Sequence, residues 1–226
     1  MVGFWFPYWW LIIPAILLGF YAQSKVRSTY REYSRYTTRS GWTGAELAAE
    51  ILRRHGLERV PVERTQGQLT DHYDPRNQVL KLSQGVYDSK SVAALGIAAH
   101  ESGHAIQHSK SYVPLALRNT VYPVASFGSN LGPILVIVGF LFGTADFLIT
   151  AGIVLFAFAV LFSLITLPVE FNASNRAMRI LDQTGVMTSS ELAGARKVLS
   201  AAALTYIASA LASVLTLLRL ILLSRR

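Results

Sequence analysis

The sequence predicts a mainly α-helical integral membrane protein with about four transmembrane helices and a small α+β portion. Hydrophobic residues make up 52% of the chain and charged residues only 15%, which is more apolar than a soluble domain of ordinary composition. Apolar runs long enough to cross a bilayer alternate with stretches of globular composition. The length of 226 residues leaves room for one compact soluble unit of about a hundred residues beside such spans.

The first transmembrane helix is predicted within residues 1–22, over the apolar run 4–21. This run contains tryptophans of the kind that settle at the bilayer interface, namely Trp5, Trp9 and Trp10. A secretory signal peptide is the competing interpretation. No basic segment precedes the apolar run, and residues 23–25 make a poor cleavage site, so a retained anchor is favoured.

Basic residues cluster directly after the first span, at Lys25, Arg27, Arg31, Arg35 and Arg39. A short basic segment beside a span tends to remain in the cytoplasm, so the soluble part is predicted on the cytoplasmic side of a bacterial plasma membrane. Tyrosines interleave with these arginines, and with the net charge of +8 they raise nucleic-acid binding as an alternative. Binding to anionic lipid headgroups explains the positive charge, and the sequence contains no nucleic-acid-binding motif. The bilayer is therefore the expected partner, and nucleic acid is not.

A soluble region is predicted over residues 23–119. Thr43 and Glu46 have the spacing of a helix capping box, and Gly56 is placed to end that helix. The turn-rich residues 74–77 precede a strand candidate at residues 79–82, which predicts a small sheet or hairpin. A helix is expected next, over residues 91–108.

The remaining spans are predicted in the second half of the chain. Residues 120–168 read as a transmembrane hairpin joined at residues 143–146, which returns the chain to its starting side. The polar segment 169–200 then shares a compartment with the soluble region, and a helix is expected to begin there after Pro168. Thr188 and Glu191 repeat the capping-box spacing ahead of the last span, in residues 201–226, which ends in a short basic tail.

The segment His100-Glu101-Ser102-Gly103-His104 carries the chemistry of the chain. Histidines four residues apart lie on one face of a helix, so both imidazoles can bind one metal ion, and Glu101 can deprotonate a water beside it. The alternative is that these are surface histidines whose spacing matches a metal-binding motif by chance. The apolar residues 92–99 predict a buried helix, and burying these polar groups without a metal would be costly. The chain has no cysteine, so a transition metal must be held by histidine and carboxylate, and one zinc ion is the expected cofactor.

A third ligand must come from elsewhere, because Gln107 and His108 lie at the wrong offsets for a third histidine on the same segment. Glu170 is the preferred candidate, since an ionisable group at the end of an apolar span usually has a function. Its alternative role is that of a first-turn carboxylate opposing a helix dipole. Residues that could orient the imidazoles or stabilise a transition state are Asn172, Ser174, His72, Tyr73, His108, Tyr112 and Arg176.

Three segments make the chain resemble a known family: LTDHYDPR at residues 69–76, SVAALGIAAHE at 91–101 and LPVEF at 167–171. Together they resemble the YugP-type membrane neutral zinc metallopeptidases, which are similar in logic to HtpX-like gluzincins. The resemblance implies a zincin-like catalytic portion with Glu170 as the third ligand, and a strand before the motif helix that holds substrate by backbone pairing. HtpX-like enzymes carry an aspartate where this chain has Ser174, so the roles of residues around the ligands are the least secure.

The expected function is a membrane-bound zinc peptidase that acts on proteins or peptides, with His100, His104 and Glu170 as ligands and Glu101 as general base. One alternative is a site-2-type intramembrane protease, but Leu181-Asp182 is followed by Gln183 instead of the glycine which that class requires. Another alternative is a non-catalytic membrane protein with a structural zinc. Glu101 argues against it, because a structural site has no use for a general base.

Overall fold

The computed structural model describes residues 8–142 and 146–225. The chain forms two compact units. The apolar unit comprises the chain up to Ala22, Val113–Pro168 and the chain from Leu204 onward. The sheet unit comprises Gln23–Tyr112 and Val169–Ala203. Parts of three predictions lie outside the described residues: residues 4–7 of the first span, residues 143–145 of the hairpin connection and Arg226 of the basic tail.

The described residues form seven α-helices, a short 3-10 helix (Trp9–Ile12) and three strands. The helices are α1 (Ile13–Tyr33), α2 (Gly44–Arg54), α3 (Gln84–Tyr87), α4 (Val92–Ser109), α5 (Val113–Phe142), α6 (Asp146–Thr184) and α7 (Ser189–Ser224). The strands are β1 (Val62–Thr65), β2 (His72–Asp74) and β3 (Val79–Ser83). Within the described residues, four helical segments are long and apolar enough to cross a membrane: Trp9–Tyr33, Val113–Phe142, Asp146–Thr184 and Ser189–Ser224. The predicted mainly helical membrane class with about four spans is therefore confirmed.

The sheet has the strand order β1-β3-β2, with β3 parallel to β1 and antiparallel to β2. Leu80 of β3 lies opposite Val62 of β1 and Tyr73 of β2. The sequence predicted strand β3 and a small sheet or hairpin around it, but it gave no indication of strand β1. The reason is physical: both central residues of β1, Glu63 and Arg64, are exposed, so the strand lacks the apolar alternation that marks a half-buried strand.

Helix α4 lies at the centre of the sheet unit. Its N-terminus is capped by Ser91, whose hydroxyl accepts a hydrogen bond from the Ala94 amide at 3.2 Å. Leu95 and Ile106 are almost fully buried in the core that α4 shares with the sheet and with α2. Small residues bring neighbouring backbones close: a Cβ added to Gly103 would lie 2.9 Å from the Ala173 carbonyl oxygen of α6. The core thus fixes where α4 presents its polar residues.

Helix α6 runs without interruption through Pro168, which differs from the helix start expected after this proline. Glu170 therefore does not lie in a first helical turn, and its alternative role as a dipole-opposing carboxylate is ruled out. Proline inside an apolar helix removes one backbone hydrogen bond, a loss that long membrane helices tolerate. The sequence rule that proline begins a helix was the wrong guide at this position.

Helices α5 and α6 approach closely in the apolar unit. A Cβ added to Gly128 would overlap the Leu155 carbonyl oxygen, and one added to Gly132 would lie 2.8 Å from the Gly152 carbonyl oxygen. Small residues of this kind let transmembrane helices pack backbone to backbone. The contact surface of α5 therefore has no room for even a methyl group at these two glycines.

We expect Gly128→Ala to destabilise the protein by about 1–3 kcal/mol, because the added methyl group forces the two helices apart. Thermal unfolding in detergent measures the effect. Gly19→Ala is the matched control, since a Cβ at Gly19 meets nothing within 4 Å, and it should leave the unfolding temperature equal or higher. Equal unfolding temperatures for the two variants would contradict the close approach.

Candidate metal centre

Two histidines of α4 form one wall of the site. His100 and His104 are one helical turn apart, and their rings meet edge to face with centroids 4.8 Å apart. Glu101 follows His100 on the same helix and is only 9% exposed. The pattern read from the sequence thus places two imidazoles side by side, with a shielded carboxylate next to them.

Glu170 of α6 completes the cluster. Its Oε2 atom lies 3.3 Å from His100 Nε2 and 3.5 Å from His104 Nε2, and the residue is 3% exposed. Ligand atoms at about 2.0–2.1 Å from a tetrahedral zinc ion are separated from one another by about 3.3 Å. The three ligand atoms all lie within 4.8 Å of one another. Two imidazoles and one carboxylate at these spacings fit a three-ligand zinc site.

The charges around His104 favour a cation. Burial lowers the pKa of His104, but the hydrogen bond to Glu170 and the negative charges of Glu101 and Glu170 raise it, and the net shift is upward. The same negative potential that stabilises a protonated imidazole also stabilises a metal ion bound between these groups. The site is therefore electrostatically suited to a divalent cation.

The Nδ1 nitrogen of each histidine has a hydrogen-bond partner. Ser174 Oγ lies 3.1 Å from His100 Nδ1, and Gln107 Oε1 lies 3.0 Å from His104 Nδ1. Each Nε2 is left facing Glu170, as a metal ligand requires. The sequence had suggested Ser174 as an orienting residue. It had missed Gln107, which was considered only as a failed ligand, although its position one turn after His104 was a usable signal.

The other residues singled out in the sequence divide into two groups. Tyr73 and His108 lie near the cluster: the Tyr73 amide donates to Glu101 Oε2 at 3.1 Å, and the Tyr73 hydroxyl lies 2.9 Å from His108 Nδ1. Burial raises the pKa of Tyr73. His72 is exposed and its Nδ1 lies 2.8 Å from the Thr70 carbonyl oxygen, so it has a local contact instead.

Three further residues are connected to the cluster through Gln107. Asn172 and Tyr112 form hydrogen bonds with Gln107, and Arg176 forms one with Asn172. Asn172 Oδ1 accepts hydrogen bonds from Gln107 Nε2 at 3.0 Å and from Arg176 Nε at 2.7 Å. The Tyr112 amide donates to the Gln107 carbonyl oxygen at 3.0 Å. Asn172 therefore acts on His104 only through Gln107, and not by the direct contact with an imidazole that the sequence suggested.

Comparisons with known proteins identify the family of the chain. The family model described as "Putative neutral zinc metallopeptidase" matches residues 8–225. The chain belongs to this family. A curated protein of Bacillus subtilis (strain 168), "Putative membrane protease YugP", is 51% identical over 211 residues, which cover 93% of this chain and 93% of that protein. The resemblance seen in the three sequence segments is confirmed. No solved structure matches the chain.

We expect Glu170→Ala to abolish stoichiometric zinc binding by the detergent-purified protein, as measured by metal analysis after dialysis. If Glu170 is a ligand, the loss of zinc affinity should exceed about 10–100-fold, which is the typical cost of removing only a hydrogen-bond partner of a ligand. Glu63→Ala is the matched control, since Glu63 is an exposed carboxylate on β1. Retention of one zinc ion per chain by Glu170→Ala would eliminate Glu170 as a ligand.

Proposed function

We propose that the chain is a membrane-bound zinc-dependent peptidase that hydrolyses peptide bonds in protein or peptide substrates. The observation that carries the proposal is the approach of His100, His104 and Glu170, with the Glu101 carboxylate beside them on α4. In this proposal, His100 and His104 each bind zinc through Nε2, and Glu170 supplies the carboxylate ligand. Three protein ligands are the number that catalytic zinc sites use.

A bound zinc ion would supply Lewis acidity, lowering the pKa of a water to about 7 and polarising the scissile carbonyl. The chain's own groups handle the proton. Glu101 would accept it from the attacking water and pass it to the leaving amine. The Tyr73 amide hydrogen-bonds one carboxylate oxygen of Glu101, Oε2, which leaves Oε1 to carry the proton. A purely structural zinc site gives no reason for such a held carboxylate, which disfavours that alternative.

The Tyr73 hydroxyl and His108 are the proposed transition-state donors. Their 2.9 Å contact links β2 to the last turn of α4, and His108 follows His104 by one turn, on the same face of the helix. A tyrosine hydroxyl keeps its proton at neutral pH. Burial raises the pKa of Tyr73 further, so its hydroxyl can donate a hydrogen bond to a developing oxyanion. A peptide paired with the edge strand β2 would run past these groups.

The site-2-type alternative places the zinc helix inside the bilayer. Helix α4 is not among the four segments of the described residues that are long and apolar enough to cross a membrane. It belongs to the sheet unit and buries its apolar residues against the sheet and α2. These observations favour a zincin-like catalytic portion outside the hydrocarbon core, formed by residues 23–119 together with 169–200.

We expect Glu101→Gln to keep one zinc ion per chain and to lose about 10²–10⁴-fold in cleavage of casein or a peptide, because the general base is removed while all three ligands remain. Glu58→Gln is the control, since Glu58 is exposed, and it should cleave at the wild-type rate. Full activity of Glu101→Gln would refute the mechanism. A wild-type protein that holds zinc yet cleaves no substrate would favour the structural-zinc alternative.

We further propose that the sheet unit faces the cytoplasm, because the basic residues that follow the first span, such as Lys25 and Arg31, are exposed on α1. The chain has no cysteine, so a single engineered one reports its own side. Cys introduced by Glu58→Cys should resist a membrane-impermeant maleimide in intact cells and react after lysis. Thr144→Cys, in the predicted hairpin connection, should react in intact cells. The reverse pattern would show the opposite orientation.

A further inference from the structure

Gln107 has no exposed surface, and its side-chain amide makes three hydrogen bonds. Its Nε2 donates to the Val169 carbonyl oxygen at 2.9 Å and to Asn172 Oδ1 at 3.0 Å. Its Oε1 lies 3.0 Å from His104 Nδ1. A buried glutamine with all these partners joins the motif helix α4 to two residues of α6 that flank Glu170.

Some groups in this network can only donate a hydrogen bond and others can only accept one, and these groups fix the direction of each bond. A guanidinium donates and never accepts, so the atom of Asn172 that meets Arg176 Nε must be its oxygen, Oδ1. A backbone carbonyl only accepts, so the Gln107 atom that meets both Val169 O and Asn172 Oδ1 must be the amide nitrogen. The amide oxygen of Gln107 is then the atom left for His104.

An amide oxygen can only accept, so His104 must carry its proton on Nδ1. The lone pair of the neutral ring is then on Nε2, the nitrogen that lies 3.5 Å from Glu170. His100 differs, because the Ser174 hydroxyl beside its Nδ1 can donate or accept and therefore selects neither tautomer. Of the two histidines, only His104 has its tautomer dictated by the surrounding groups.

We propose that Arg176, Asn172 and Gln107 form a positioning chain that fixes His104 in its Nδ1-protonated tautomer and aims its Nε2 at the metal position. The chain also sets the position of α6, because Gln107 bonds the carbonyl of Val169, the residue before Glu170. One set of hydrogen bonds therefore aligns a ligand from each of two helices. This inference rests on the proposed zinc site, but not on peptidase activity.

Two readouts test the chain without any substrate. The first is the tautomer of the neutral His104 ring in metal-free protein, from ¹⁵N NMR of ¹⁵N-histidine-labelled samples at a pH high enough to remove the second ring proton. The second is zinc affinity, from competition with a chelator. Gln107→Met, which keeps the side-chain volume but removes every hydrogen bond, should lose the Nδ1-protonated signal. It should weaken zinc binding by about 10–100-fold, the typical cost of removing a partner of a metal-bound histidine. Gln66→Met, at an exposed glutamine, is the matched control and should bind zinc as wild type does.

Variants of Asn172 separate orientation from simple packing. Asn172→Asp keeps an acceptor oxygen for both Gln107 and Arg176 and should retain the His104 tautomer, whereas Asn172→Leu should lose it and weaken zinc binding. An unchanged tautomer and unchanged zinc affinity in both Gln107→Met and Asn172→Leu would overturn the proposal. Zinc binding that responds as expected in a protein without peptidase activity would support the positioning chain while refuting the proposed function.

Discussion

The site depends on the close backbone approach of α4 and α6. A Cβ at Gly103 would lie 2.9 Å from the Ala173 carbonyl oxygen, so only glycine lets the two helices meet at this distance. Gly103 immediately precedes His104, and Ala173 lies one turn after Glu170 on its helix. A larger residue at position 103 would push Glu170 away from both imidazoles. The reach of a glutamate side chain is short, so the 3.3 and 3.5 Å separations require helices this close.

The close approach of the two helices also buries the charge of Glu170. Glu170 is almost fully buried, and a buried carboxylate without partners is strongly unfavourable. Its oxygen faces two imidazoles whose outer nitrogens have partners in Ser174 and Gln107. Glu170 therefore places a buried negative charge between the two imidazoles, where a bound cation would neutralise it.

The sequence predicted the parts of the structure that depend on local patterns. The capping boxes at Thr43 and Thr188 are both present, with Glu46 and Glu191 bonding back to the cap amides at 2.8 and 2.7 Å. The spacing of His100 and His104 predicted that their imidazoles would lie together, because helix geometry alone places residues four apart on one face. Glu170 was singled out because it is an ionisable residue at the end of an apolar run. Local signals of this kind are independent of the tertiary fold.

The features that escaped prediction depend on tertiary contacts. Strand β1 is stabilised by pairing with β3, and not by an apolar pattern of its own. Helix α6 continues through Pro168, although the local rule places a helix start there. Gln107 has a role only because α6 supplies Val169 and Asn172 as its partners. Spacing along α4 could mark Gln107 as facing the site, but not the direction of its hydrogen bonds, which Arg176 determines from another helix.

Tyr73 shows why the small sheet belongs to the site and is more than support for it. Its backbone amide bonds Glu101 and its hydroxyl bonds His108, so one residue of β2 contacts α4 both before and after His104. Strand β2 lies at an edge of the sheet, where a further extended chain can pair. Under the proposed function, a substrate that pairs with β2 lies against the same strand that holds the general base. Substrate position and the orientation of Glu101 are then set by the same three residues of backbone, and any change in the register of β2 would alter both together.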